Sequence, residues 1–480
     1  MSEVKTAKGP DGEQFDLIRG LGPWASAAVV VGTMIGTGVF LVPSSMARNA
    51  GSVGLVFLVW ILGGLLTLFG ALSYAELGAA IPEAGGDYAY LYRGFGPRWA
   101  YMFGWMHTIV GRPASAAAIA AGLMRFSAVL FPLLAYPVVT YHIWVPFRTV
   151  PYNFVVTPAQ PFAVTAIGLI TIVNYLGVRL GGRVQVFLTA LKIGAVLAVV
   201  VLGLALGHGA TKGFTLFPPG AMGLRTVGGF LAAMVAALWA YDGWNDLSLM
   251  GSEVRDPQKN IPRALAGGVM FVGVIYLLSN AVYFYILSFQ GVAQSTSVAS
   301  DAVATFAGFS AAKWLTVAMM VSALGTLNSS LMSGARVPYA MSRNRLFFKF
   351  AGEVHPKFRT PGGALVLQAY LAGTLALTGT FDELFSLFIF AQWIFYGLVA
   401  ASVIGLRRRE PDLPRPYRTW GYPVVPALFC VGAVAVTIAS YMQQPVRSTI
   451  GLVFILSGLA FYKHWQRPKD AQSAAGEGSA

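Results

Sequence analysis

The chain has 480 residues, of which 56% are hydrophobic and only 11% charged, and its formal net charge is +14. A soluble domain has about a quarter of its residues charged, so a soluble fold is excluded and an all-α integral membrane protein is indicated. The basic residues cluster in short segments between apolar runs, where they report topology and attraction to anionic lipid headgroups rather than a nucleic-acid footprint.

A membrane-spanning helix needs about 20 mostly apolar residues. Twelve runs read as spans: Leu21–Met46, Leu55–Ala80, Trp99–Arg125, Pro161–Leu176, Val184–Leu206, Thr226–Leu249, Ala266–Leu287, Trp314–Met341, Ala364–Thr378, Leu384–Leu406, Val424–Tyr441 and Thr449–Tyr462. With the N-terminus in the cytoplasm, the inner segments hold most of the lysines and arginines. The outer ones then hold only Arg48, Arg148, Lys212, Arg225, Lys313 and Arg447. Both termini are therefore expected on the cytoplasmic side of a multi-pass protein of the cell inner (plasma) membrane. Residues 1–20 read as a cytoplasmic leader without a cleavable signal, and 467–480 as a disordered polar tail. The single cysteine, Cys430, lies in the eleventh span, so no internal disulfide forms.

The first span contains Val31-Gly32-Thr33-Met34-Ile35-Gly36-Thr37-Gly38-Val39-Phe40-Leu41-Val42-Pro43. Glycine weakens a helix, and in a bilayer a broken helix is tolerated only against protein or a cavity. Free N–H groups at Gly36, Thr37 and Gly38 would favour an anion. A tight helix-packing face is the competing reading, since Gly32 and Gly36 have small-xxx-small spacing. The sixth span is interrupted in the same way by Tyr241-Asp242-Gly243-Trp244-Asn245-Asp246. Interruptions five spans apart point to an inverted repeat with a midplane site. Intramembrane ionisable residues default to a functional reading. The scattered histidines lack metal-ligand spacing, and no phosphate loop or nucleophile elbow occurs. Neither an enzyme, a cofactor nor a metal is expected.

Several motifs, in order along nearly the whole chain, resemble the amino acid–polyamine–organocation superfamily and its L-type amino acid transporters. Gly32–Phe40 resembles the family's first broken helix, and Arg112-Pro113 an Arg-Pro pair in the third span. Arg183-Val184-Gln185 with Thr189-Ala190-Leu191-Lys192 resembles the fifth span. Ala240–Asn245 with Asn260-Ile261-Pro262-Arg263-Ala264 resembles the sixth and the loop behind it. Gly325–Ser330, His355-Pro356-Lys357, Arg415-Pro416-Tyr417 and Trp420-Gly421-Tyr422-Pro423 complete the series. The resemblance implies a LeuT-like five-plus-five inverted repeat with discontinuous helices 1 and 6. Its ten-helix core would span 21–406, followed by helices 11 and 12 over 407–466. It also implies alternating access, and in many members of this branch exchange of amino acids without sodium.

The same resemblance assigns roles. Gly36, Thr37 and Gly38 would bind the substrate carboxylate through N–H groups, and Met34 and Ile35 would offer carbonyls to its ammonium. Trp239 would cover the substrate as a gate. Asp242, where animal L-type members tend to have glycine, would pair with the ammonium, titrate or cap a helix. Lys192 would stand where sodium-dependent relatives hold an ion, bridging the first and eighth helices. Ser322, Thr326, Asn328 and Ser329 would complete that site or line the pocket. Arg112 would anchor the third helix, with no partner legible. Glu76, Glu83, Asp87, Arg93, Glu253 and Arg255 would pair as inner gates or lie solvated. The expected function is sodium-independent exchange of neutral L-amino acids, because no basic partner for an acidic side chain is visible in the pocket. A proton-coupled symporter titrating Lys192 or Asp242 and a non-transporting amino acid sensor are the alternatives. Partners reduce to the substrate and membrane lipids. A disulfide-linked heavy subunit is not expected, since the loop between the third and fourth spans lacks cysteine.

Overall fold

The computed structural model describes residues 16–143, 152–207, 209, 224–378 and 381–477. The start of the leader, together with Arg148 and Lys212 of the outer loops, falls outside the described residues. Among the described residues, nine helices are long and apolar enough to cross a membrane. Three shorter apolar helices (Ala159–Tyr175, Val227–Ala240 and Gly362–Thr378) fall between them. Together they follow the order of the expected spans.

The chain enters through α1 (Pro23–Met34), continues as α2 (Gly38–Ala50), and crosses back as α3 (Val53–Ala80). Pro23 opens α1, where its missing N–H costs nothing. Gly51, at φ 77°, ends α2 in the left-handed region, and the Leu55 N–H donates to Ser52 Oγ at 3.2 Å to cap α3. A short α4 (Asp87–Phe95) leads to α5 (Pro97–Met106) and α6 (Arg112–Leu130), joined by a π-helical turn over His107–Gly111. Such a turn shifts the helix register, and these turns concentrate at functional sites; here it precedes Arg112.

After α6 a short hairpin interrupts the otherwise helical chain. Strands β1 (Val139–Ile143) and β2 (Tyr152–Val156) pair antiparallel in a hairpin, Val139 opposite Val156. The β-branched and aromatic residues of this segment suit a strand. Then come α7 (Ala159–Tyr175), α8 (Val178–Leu206) and α9 (Leu224–Ala240), followed by α10 (Asp246–Leu249) and α11 (Pro257–Gln294). Next are α12 (Val298–Gly334), α13 (Arg336–Arg343), α14 (Gly362–Thr378), α15 (Phe381–Arg409), α16 (Val424–Gln443) and α17 (Pro445–Glu477). The last helix runs on to Glu477.

At the centre α1 packs on α8, α11 and α12, while α2 packs on α9. The outer belt is apolar and exposed, with Leu62, Leu65, Ile172, Phe187, Leu191 and Val431 facing outward, as a lipid-facing surface requires. Polar side chains such as Thr189, Lys192, Asn245, Asp246 and Asn328 are buried inside.

Candidate functional site

Helix α1 stops at Met34 and α2 starts at Gly38. The Gly36 N–H turns back and donates to the Met34 carbonyl at 2.8 Å. The N–H groups of Thr37 and Gly38 have no partner among the described residues. Of the three donors expected from the sequence, two are therefore free. The Met34 carbonyl also lies 2.6 Å from the Tyr276 hydroxyl, and the Ile35 carbonyl accepts from Lys192 at 2.7 Å and Ser322 Oγ at 3.1 Å. A carbonyl has two lone pairs, so the Ile35 carbonyl is filled and cannot serve a substrate ammonium. The Thr33 carbonyl, one turn earlier, accepts no backbone hydrogen bond.

Helix α9 ends at Ala240, and a turn over residues 241–245 leads into α10. Gly243 holds φ 88° with Thr33 pressed against it; a Cβ there would meet Thr33 Cγ2 at 2.3 Å. A small cavity of about 50 Å³ lies between the two breaks. Its walls include Thr33, Thr37, Gly38, Trp239, Asp242 and Thr326, with Arg112 and Ser330 beyond them. Met34 and Gly36 also line it, whereas Ile35, Ser322 and Asn328 do not.

Lys192 sits across the first break from α12. Its Nζ donates to the carbonyls of Gly32 and Ile35 at 2.7 Å each and to the Ser322 carbonyl at 2.9 Å, with Thr326 Oγ1 at 3.2 Å. It is only 1% exposed, so its amine stays inside the bundle and bridges the first and eighth spans. Ser322 belongs to this bridge and not to the cavity wall. Thr326 belongs to both.

Asn328 corrects the sequence reading. Its Nδ2 donates to Gln185 Oε1 at 2.8 Å and its Oδ1 accepts from Asn174 Nδ2 at 3.0 Å, away from the cavity. It ties α12 to α7 and α8. Ser329 instead reaches the first break, its Oγ 2.5 Å from Thr33 Oγ1.

The Arg112 partner is Asp246. The guanidinium donates to both carboxylate oxygens, at 2.6 and 3.2 Å, and Ser333 Oγ donates to Asp246 Oδ2 at 2.9 Å. Both side chains are buried. Arg112 thus lines the cavity, contrary to the expectation of no basic residue there, but its charge is committed. Asp242 is no helix cap. Its Oδ1 lies 2.9 Å from the Tyr396 hydroxyl on α15.

The expected gate residues pair with other groups than one another. Glu253 meets Arg336 through both oxygens, at 2.8 and 2.9 Å, with both side chains fully buried. Arg336 also donates to the Met332 carbonyl. Glu76 accepts from Arg407 at 2.6 and 2.8 Å and from the Thr419 N–H at 2.7 Å. Arg93 pairs with Glu410, which it holds below the usual carboxylate range, and Asp87 accepts from Asn245 Nδ2 at 2.8 Å. Arg255 donates to the Arg19 carbonyl, while its backbone N–H and the Glu253 carbonyl clasp Leu21 at 2.8 and 3.0 Å. Sequence reasoning overlooked Tyr276, whose hydroxyl lies 2.6 Å from the Met34 carbonyl and 2.7 Å from that of Ala240. A tyrosine inside the apolar run of α11 was the available signal.

Two half-helices crossed around a central cavity, inside an apolar belt, are the construction of a membrane carrier. The chain matches the amino acid permease family over residues 21–461, and it belongs to that family. It is 32% identical to the human b(0,+)-type amino acid transporter 1, over 96% of this chain and 90% of the relative. It is 30% identical to the serine/threonine exchanger SteT of Bacillus subtilis (strain 168), over 95% and 99%, and 30% identical to the human large neutral amino acids transporter small subunit 2, over 98% and 85%. The chain is therefore a multi-pass membrane amino acid transporter of the L-type branch, with the family's inverted-repeat fold.

Proposed function

We propose that the chain exchanges neutral L-amino acids across the cell inner (plasma) membrane without sodium, by alternating access, with both termini in the cytoplasm. The observation that carries this reading is Lys192. Its amine, at 2.7 to 3.2 Å from four oxygens of α1, the first break and α12, occupies the oxygens a sodium ion would need. The unpaired N–H groups of Thr37 and Gly38 at the start of α2 favour the substrate carboxylate, and the Thr33 carbonyl beside the cavity suits its ammonium. Trp239 on the wall closes over the side chain. Arg112 and Asp246 cancel each other, which supports a neutral side chain, as do relatives named for large neutral amino acids and for serine and threonine.

The test is labelled amino acid uptake into proteoliposomes, with and without unlabelled amino acid inside and with sodium replaced by choline. Internal amino acid should accelerate uptake at least tenfold, with no effect of sodium. Strict sodium dependence overturns the reading, and binding without flux would make the chain a sensor.

A further inference from the structure

Asp87 and Asp246, both buried, and Asp242, half-buried at the cavity wall, surround the guanidinium of Arg112. Arg112 satisfies Asp246 through two hydrogen bonds. Asp87 and Asp242 are left without an ion-pair partner among the described residues. Asp242 on the cavity wall is faced by Arg112, Asp246 and Tyr396. Asp87, at 0% exposure, is faced by Tyr74 from α3, by Tyr90 of its own helix, and by Asn245, Arg112, Asp246 and Tyr396. His107 faces Arg112 from the π-helical turn. A buried carboxylate and a half-buried one, neither in an ion pair and both within one polar cluster, are costly to keep ionised together.

The two are joined by an unbroken chain of close polar contacts. Asp242 Oδ1 lies 2.9 Å from the Tyr396 hydroxyl, that hydroxyl lies 3.0 Å from Asn245 Oδ1, and Asn245 Nδ2 lies 2.8 Å from Asp87 Oδ2. A tyrosine has one proton to donate. If both carboxylates are ionised, Tyr396 can satisfy Asp242 or Asn245 but not both, and one contact sets two acceptors against each other. One added proton completes every link. On Asp242 it donates to Tyr396, Tyr396 donates to Asn245, and Asn245 donates to Asp87. With the Asn245 amide turned over, the proton sits on Asp87 and each hydrogen bond runs the other way. A second proton is not needed by any link, since each already has one donor and one acceptor. Two observations outside this chain point the same way. Asp87 Oδ1 is buried and makes no hydrogen bond, with the Tyr74 phenol facing it, and Ser330 Oγ, on the cavity wall, is buried without a partner.

We propose that Asp242, Tyr396, Asn245 and Asp87 form a binding site for one proton, shared between the two carboxyls, and that a cationic group of the substrate takes its place at Asp242. The proton leaves a carboxyl oxygen for solvent, and Tyr396 and Asn245 keep their own. The second half of this proposal rests on the amino acid carrier reading; the first half does not.

Infrared pH-difference spectroscopy of the purified full chain, without amino acid, tests the first half, because only a protonated carboxyl shows the corresponding carbonyl stretch. The wild type should show one buried carboxyl that titrates as a single proton. Asp242→Asn and Asp87→Asn should each remove the whole signal, since the new amide supplies the missing donor. Tyr396→Phe, which keeps the ring, should split the titration into two steps. Absence of the band in the wild type, a band halved by each asparagine variant, or an unchanged band in Tyr396→Phe overturns the shared site. For the second half, the protein is mixed with L-serine or L-lysine in weak buffer containing a pH dye. Up to one proton per bound amino acid should appear, and none with Asp242→Asn. No release from either probe overturns displacement. Absence of exchange for every amino acid overturns the carrier reading instead, leaving the infrared result to stand.

Discussion

Gly38 and Ala240 bring the two half-helices into direct contact: a Cβ on Gly38 would lie 2.9 Å from Ala240 Cα. The glycine thus answers to backbone packing as well as to room for a ligand. We expect Gly38→Ala to cost about 1–3 kcal/mol, the usual range for forcing an extra carbon into a packed site, and to abolish exchange. Gly194→Ala, where nothing lies within 4 Å, is the control and should leave both melting temperature and exchange intact. A Gly38→Ala protein with normal melting and normal uptake would show that the half-helices separate freely.

Gly36 makes a milder case. Its added Cβ would meet Thr326 Oγ1 at 3.2 Å, and Thr326 in turn contacts Lys192 Nζ. Gly36→Ala should therefore lower exchange rate severalfold while shifting the melting temperature little. An effect on melting as large as that of Gly38→Ala would refute this ordering.

Lys192 satisfies acceptors on both sides of the first break. Lys192→Ala leaves buried carbonyls without donors, each costing about 1–3 kcal/mol, so some loss of stability is expected. Exchange should fall more than tenfold at matched expression, and the apparent affinity should become unequal on the two faces. Unchanged kinetics in sided transport assays would remove the main support for sodium independence.

The Glu253–Arg336 pair is fully buried. Removing one partner of such a pair costs about 3–5 kcal/mol, whereas replacing both with apolar groups is often neutral. Arg336→Met should therefore melt early, and the double variant Arg336→Met with Glu253→Leu should recover most of the loss. Melting curves in detergent decide it; an equal loss in the single and double variants would mean that the Arg336 contact with the Met332 carbonyl matters more than the pair.

Asp87 lies in α4, outside the membrane-spanning helices. Burial pushes its carboxyl up to about 7, with Tyr74, Arg112 and Asn245 pulling against that shift. The unfolded chain protonates this group only near its ordinary value of about 3.9. Because the folded value is the higher one, its contribution to stability is complete below that ordinary value and is lost as pH rises through about 7. Melting temperature should fall from pH 6 to pH 8, and Asp87→Asn should flatten the slope. A rise with pH would contradict the assignment.

The two breaks and the lone lysine were legible because each violates what a lipid-facing helix tolerates: glycines and threonines in one, Asp242 and Gly243 in the other, an ammonium in the third. Partners were not legible, because rotation about a helix axis depends on its neighbours. Asn328 and Thr326 lie close in sequence on one helix, yet Asn328 binds α7 and α8 while Thr326 faces the cavity. Arg112 and Asp246 are separated by 134 residues, and nothing local joins them. The charged residues near the inner loops were recognised, but their partners Arg336, Arg407 and Glu410 come from much later in the chain.

Tyr276 stands between the Met34 and Ala240 carbonyls with a single hydroxyl proton. It can hold the end of α1 or the end of α9, but not both through hydrogen bonds at once. Letting go of the end it holds forfeits one neutral hydrogen bond, roughly 1 kcal/mol net, only about twice the thermal energy. The junction of the two halves acts as a latch that idles between two catches. A rigid clasp such as a buried ion pair at the same spot would have locked the carrier in one posture.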